Sequence, residues 1–209
     1  MCLNKILIMK NILLIFFFAL SLNGFSQSKK SNLETITLGG GCYWCVEAVY
    51  EQLDGVKSVV SGFSGGKVAN PTYEEVCTGT TGHAEVVQIT YDKTVTDINE
   101  IFKVFFTVHD PTTLNRQGAD VGTQYRSVIF YKNEEQKKAA QSIIAELNKA
   151  KVYNSPIVTK VEPFKAFYKA EDYHQNYYSN NKNQPYCKMV IQPKLEKFEK
   201  VFKDKLKKK

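Results

Sequence analysis

The alternating run Thr35-Ile36-Thr37-Leu38 passes directly into Gly39-Gly40-Gly41, and the glycines pass directly into Cys42-Tyr43-Trp44-Cys45. Apolar Val46, Val49, Tyr50 and Leu53 follow at the helical spacings of three and four. A strand, a glycine turn and a helix start are therefore expected to succeed one another without a linker. Cys42 opens that turn. A thiol there is expected to face unpaired backbone N–H groups and the positive end of the helix dipole, both of which favour thiolate over thiol. Cys42 is the candidate nucleophile, and Cys45 follows it on the same helical turn.

Strand-like and helix-like segments continue to alternate along the chain. Strands are expected at Thr35 to Leu38, Ser58 to Phe63, Glu85 to Tyr91, Ser127 to Tyr131 and Ile157 to Pro163. Helices are expected at Cys42 to Gln52, at a short turn from Thr72 to Val76, and at Ile98 to Val108 and Glu134 to Lys149. Asn133 suits the N-cap of the last of these, with Glu134 and Glu135 in its first turn. Leu195, Phe198, Phe202 and Leu206 form one apolar stripe on a closing helix. The pattern specifies a single α/β or α+β layered fold. Three connections, Ser64 to Tyr73, Thr78 to Ala84 and Asp110 to Arg126, are long and rich in Gly, Thr, Asn and Tyr, as functional loops on a rigid sheet are. From Ala170 to Cys187 the polar, Asn- and Tyr-rich composition predicts a mobile C-terminal tail.

The N-terminus belongs to none of this. Asn11 to Leu20 is a short apolar core behind Lys5 and Lys10, and Asn23-Gly24-Phe25-Ser26 follows it, which is the layout of a secretion signal with Met9 as an alternative start. The apolar run falls short of the ~20 residues a spanning helix needs. The expected organisation is a signal peptide over 1–26, a polar linker over 27–33 and one domain over 34–209, in a secreted or periplasmic compartment where disulfides can form. Of five cysteines, Cys42, Cys45, Cys77 and Cys187 then remain, and the formal charge falls from +7 to about +5. Lys203, Lys205, Lys207, Lys208 and Lys209 suit the negative end of a helix dipole and predict neither nucleic-acid nor membrane binding. A monomer is expected.

A Cys-x-x-Cys at a helix start serves metal binding, dithiol exchange, or a nucleophile with its own resolving thiol. A structural metal site would require a second close Cys or His pair, which Cys77, Cys187, His83, His109 and His174 do not supply. Thioredoxin-like exchange between Cys42 and Cys45 fits the strand, turn and helix placement. A non-catalytic module stapled by a disulfide is a third alternative. Neither explains the loops, which carry Tyr73, Glu85, Asp120 and Tyr125, hydroxyl and carboxyl groups suited to binding and protonating an oxygen beside a thiolate. Singly, each has an ordinary explanation: Cys77 as a small buried hydrophobe, Glu85 as an edge charge, the tyrosines as surface aromatics, the histidines as core hydrogen-bonding groups.

Taken in order, Gly40-Gly41-Cys42-Tyr43-Trp44, Gly62-Phe63-Ser64-Gly65-Gly66, Gly82-His83-Ala84-Glu85, His109-Asp110-Pro111, Gly122-Thr123-Gln124-Tyr125-Arg126-Ser127 and Tyr173-His174-Gln175 closely resemble the A-type peptide methionine sulfoxide reductases. The resemblance covers almost all of the chain after the signal. It implies an α/β roll built on a mixed sheet flanked by helices, and reduction of methionine-S-sulfoxide, free or in proteins, with no metal or organic cofactor. By the same resemblance Cys42 attacks the sulfoxide sulfur, Glu85 is the general acid, Tyr73 and Tyr125 donate hydrogen bonds to the oxygen, Tyr43 and Trp44 hold the substrate methyl group, and Asp120 is a pocket carboxylate. The sulfenic acid left on Cys42 must condense with a second thiol. Cys187 is the favoured partner, because a mobile tail reaches a helix start more easily than a thiol on the same turn. Cys45, at a position where many members lack a cysteine, is the alternative. A thioredoxin-like dithiol partner supplies the electrons.

Overall fold

The computed structural model describes residues 31–208; the expected signal peptide over 1–26 and most of the linker lie outside the described residues. In chain order the elements are β1 (Leu33–Gly40), α1 (Tyr43–Tyr50), β2 (Val56–Ser64), α2 (Tyr73–Cys77), β3 (Ala84–Asp92), α3 (Ile98–Val108), β4 (Arg116–Gln117), β5 (Asp120–Val121), β6 (Ser127–Tyr131), α4 (Glu134–Lys149), β7 (Lys160–Pro163), β8 (Phe167–Lys169), α5 (Tyr177–Asn180) and α6 (Gln192–Val201). Every strand and helix expected from the sequence is present, with ends that differ by a few residues. The tiny β4–β5 hairpin and β8 were not anticipated, being too short for a period to show.

Six strands form a mixed sheet in the order β7-β6-β1-β3-β2-β8, antiparallel throughout except for the β6–β7 pair. The two-residue period of a strand decides which side chains meet the helices. Ile36, Leu38, Val87, Ile89, Tyr91, Phe63 and Ile129 point to one face and join the main core with α1, α3 and α6. Ala84, Val86, Val128 and Phe130 point to the other, where Phe164 and Phe167 cover them. Glu85 is in phase with Val87 and Ile89 and lies opposite Phe63 in the β2–β3 register. Strand phase alone therefore places this carboxyl group on the helix-covered, apolar face.

Local chemistry fixes the helix ends. Thr72 and Glu75 form a capping box at the start of α2, and the side chains of Asp97 and Asn133 accept the N–H groups of Glu100 and Gln136 at the starts of α3 and α4. Phe102, Phe105 and Phe198 are fully buried between α3, α6 and the sheet, each contributing roughly 1.5–3 kcal/mol by leaving water. The closing helix stops at Val201, before the end of its apolar stripe. Leu206 is reached after a 3₁₀ turn and pairs with Leu53 in an isolated β-bridge.

The segment from Ala170 differs most from expectation. It is packed against the domain through a 3₁₀ turn at Asp172–His174, α5, and a π-helical turn at Cys187–Ile191. His174, Cys187 and Ile191 are buried. Gln175 ties the segment to β2 through both backbone groups of Ser61. Composition predicted a mobile tail because its polar groups suggest solvation, yet these groups find partners on β2 and α1.

Candidate active site

The turn between β1 and α1 is built by Gly41, whose φ of +90° is disfavoured for other residues, and whose missing side chain leaves room for Gln117. Gln117 in turn bonds both the N–H and the C=O of Asp110, locking the loop after α3 against the turn. Cys42 occupies the N-cap of α1, but its side chain accepts no helix N–H, so the first-turn amides do not hold a thiolate there as expected. Burial and the neighbouring Cys45 and Glu85 push the Cys42 thiol well up. The hydrogen bond that Cys42 gives instead favours the thiolate of Cys45, which is lowered to about 7. In the resting pair the proton belongs to Cys42 and the developing charge to Cys45.

Glu85 is 1% exposed, and its Oε2 accepts the backbone N–H of Tyr43 at 3.1 Å. One amide does not offset its burial, and the carboxyl is pushed up to about 8, chiefly by desolvation. It interacts with Cys42, and with Tyr73 and Tyr125, whose hydroxyls burial also holds in the protonated form. Asp120, from the β4–β5 hairpin, acts on Glu85 and Tyr125. Five groups from separate segments of the chain therefore converge: Cys42, Tyr73, Glu85, Asp120 and Tyr125.

The C-terminal segment closes the other side. Tyr177 stacks on Trp44 with ring centroids 3.6 Å apart and planes 6° from parallel, and His174 Nδ1 accepts the Trp44 indole N–H at 3.2 Å. Tyr43 is almost wholly buried among Phe63, His174 and Trp44, whereas Trp44 keeps an exposed part. Tyr186 donates to Asp120 Oδ2 at 2.8 Å and lies 4.0 Å from the Cys45 sulfur. Cys187 is completely buried and interacts with Cys45. Sequence favoured Cys187 as resolving thiol because the tail was expected to be mobile; its burial removes that ground, and the thiol facing Cys42 is Cys45.

Other expectations are reassigned by geometry. Cys77 is exposed, not buried, and hydrogen-bonds the Tyr73 side chain. His83 accepts the Gly66 N–H and bonds the Val68 carbonyl, holding the loop after β2. His109 bonds Phe105 and Ser127, and burial lowers it to about 4, so it stays neutral. Tyr186, Tyr177 and Lys194 were not singled out by sequence, although Tyr186 directly precedes Cys187 and that adjacency was a usable signal. Among the described residues no group of three or more His, Cys, Asp or Glu side chains is arranged to hold a metal ion, and no helix is long and apolar enough to cross a membrane.

Known proteins resemble this chain in sequence and in fold. The profile of the family described as peptide methionine sulfoxide reductase matches residues 34–206. The peptide methionine sulfoxide reductases MsrA of Saccharolobus solfataricus and Sulfolobus acidocaldarius are 58% and 59% identical, over 84% and 83% of this chain and 98% and 97% of theirs. Among solved structures, reduced Mxr1 from Saccharomyces cerevisiae superposes with a TM-score of 0.68 at 35% identity, covering 74% of this chain and 89% of that one. Methionine sulfoxide reductase A of Corynebacterium diphtheriae gives a TM-score of 0.66 at 38% identity, covering 73% and 77%. The strand–glycine–helix unit bearing Cys42 and the buried Glu85 are thus parts of a reductase fold, and the chain belongs to the peptide methionine sulfoxide reductase family.

Proposed function

We propose that Cys42, Glu85, Tyr73 and Tyr125 carry out the methionine-S-sulfoxide reduction that this enzyme catalyses, with Glu85 as the proton donor. One observation carries the assignment: a carboxyl 1% exposed, with its pKa pushed up to about 8, interacts with the thiol at the head of α1. Such a group keeps its proton at neutral pH and can deliver it to the sulfoxide oxygen as sulfur attacks sulfur. Transfer of the Cys42 proton to Cys45 provides the attacking thiolate. Tyr73 and Tyr125, both held protonated, steady the oxygen. The substrate methyl group packs on Trp44 and the edge of Tyr43, where sulfur–aromatic contact is favourable. Asp120 orients Tyr186. The products are methionine and a sulfenic acid on Cys42.

Cys45 then condenses with the sulfenic acid, and Cys187, which interacts with Cys45, accepts the disulfide in a second exchange. A thioredoxin-like dithiol reduces it; paired protein thiols suit such a donor. No step of this sequence draws on a metal or organic cofactor. The signal-like residues 1–26 support an extracytoplasmic site of action. The test is turnover of the separate sulfoxide epimers with thioredoxin. Cys42→Ser is expected to abolish loss of the S form, and Cys45→Ser to stop after one methionine per enzyme. Normal cycling by Cys45→Ser would overturn this order of thiols.

A further inference from the structure

A narrow gap beside Cys45 is lined by Gly40, Val46, Phe105, Val108, His109 and Lys194. It is too tight for a water molecule. A thiolate on Cys45, 1% exposed, therefore depends on protein groups for its counter-charge. Cys42 and Tyr186 offer neutral hydrogen-bond donors. Glu85 and Cys187 contribute only negative charge when ionised. His109 is committed to Phe105 and Ser127 and stays neutral. The remaining charged group is Lys194, half-buried at the start of α6, with its ammonium directed at Cys45. Among the described residues no carboxylate lies within ion-pair distance of Lys194.

We propose that Lys194 is a positioning residue for the recycling half of the reaction: it stabilises the Cys45 thiolate as that sulfur attacks the sulfenic acid on Cys42. In this step the Cys45–Cys42 sulfur–sulfur bond forms and the sulfur–oxygen bond of the sulfenic acid breaks. The oxygen leaves as water, taking the proton that Cys45 has lost; Cys45 is oxidised and the Cys42 sulfenic acid reduced. Lysine is a compact point charge on a flexible stem, suited to following a sulfur that moves toward its partner. The proposal rests on Cys45 being the resolving thiol.

Two measurements separate the proposal from that premise. In the full chain with Cys2, Cys42, Cys77 and Cys187 changed to serine, thiolate absorbance reports the ionisation of Cys45 alone. Lys194→Met is expected to raise its midpoint by about one pH unit or more, and Lys194→Arg to restore it, whereas a merely structural lysine would leave it unmoved. In the otherwise unchanged enzyme, Lys194→Met is expected to slow formation of the Cys42–Cys45 disulfide about fivefold at pH 7, because a midpoint moved up one unit from about 7 cuts the thiolate fraction from about one half to about one eleventh, with Lys194→Arg close to the parent. An unshifted midpoint in Lys194→Met overturns the proposal whatever the cycling result. A shifted midpoint together with normal cycling by Cys45→Ser overturns instead the premise that Cys45 resolves.

Discussion

Glu85→Gln tests the centre of the mechanism, because the same physical fact sets both activity and stability. The side chain keeps its shape and can still accept the Tyr43 N–H, but it loses the transferable proton. General acid catalysis is typically worth about 10²–10⁴-fold, so the single-turnover rate of methionine release is expected to fall about 10²-fold or more. Stability should move the other way. The folded carboxyl titrates at about 8 and the unfolded one at 4.5, so the folded state binds the extra proton between these values. Stability contributed by this group is full below the unfolded pKa and is lost as pH rises toward the folded one. At about 1.36 kcal/mol per pH unit, burying the group costs roughly 3 kcal/mol more at pH 7 than at pH 4.5, and about 2.5 kcal/mol more than at pH 5. Glutamine does not titrate. Urea unfolding of both proteins at pH 5, 6 and 7 should therefore show the variant gaining on the parent by about 2 kcal/mol or more as pH rises. A stability difference that stays constant over this range would mean that the carboxyl is not held protonated, and its role as proton donor would fall with it.

Two further changes probe the surroundings of the thiols. Gly41→Ala places a Cβ 2.5 Å from the Gln117 side chain at a φ of +90°, and should destabilise by about 1–3 kcal/mol while lowering activity through displacement of Cys42; thermal unfolding and single-turnover rate report the two effects. Tyr186→Phe removes the hydroxyl that bridges Asp120 and the thiol pair, a hydrogen bond to a charged group worth roughly 1.5–3 kcal/mol, and is expected to slow recycling with thioredoxin by about tenfold. Recycling at the parental rate would remove Tyr186 from the thiol chemistry.

The parts of the site that lie on strong periodic elements were legible in sequence. Cys42 could be placed at a helix start because an alternating strand, three glycines and a 3.6-residue period meet there, and Glu85 could be placed in a strand from its alternating neighbours. What sequence could not supply was the state of the thiols. The helix dipole favours a Cys42 thiolate, but the dipole acts on whatever the backbone lets it reach, and the Cys42 sulfur turns toward Cys45 instead of capping the helix. Burial, together with the neighbouring Cys45 and Glu85, then outweighs the dipole, an effect of roughly 0.3–1 kcal/mol where exposed. The acidity moves to Cys45, which the Cys-x-x-Cys spacing marks as a second thiol but not as the more acidic one.

The C-terminal segment shows why composition misled. Asparagine and tyrosine are common in solvated loops, but a tyrosine ring buries as much apolar surface as a core residue when its hydroxyl has a partner. Here Tyr177 finds the indole of Trp44, its N–H finds Glu47 Oε2, and Gln175 finds Ser61, partners that lie 114 to 130 residues earlier in the chain where a hydrogen bond joins them. Glu47 is itself buried and pushed up to about 7 by desolvation, so the clasp is made by a buried carboxyl of α1. Asn176 takes a left-handed conformation at φ 51°, which asparagine tolerates better than most residues, and this bend turns the chain so that Tyr177 can stack. Each of these residues is a turn-former or a surface group in any local window. They become an ordered wall only because α1, packed on the sheet, has already brought Trp44 and Glu47 beside Ser61 of β2, so the order of the tail is a consequence of the fold and is written in no segment of the tail itself.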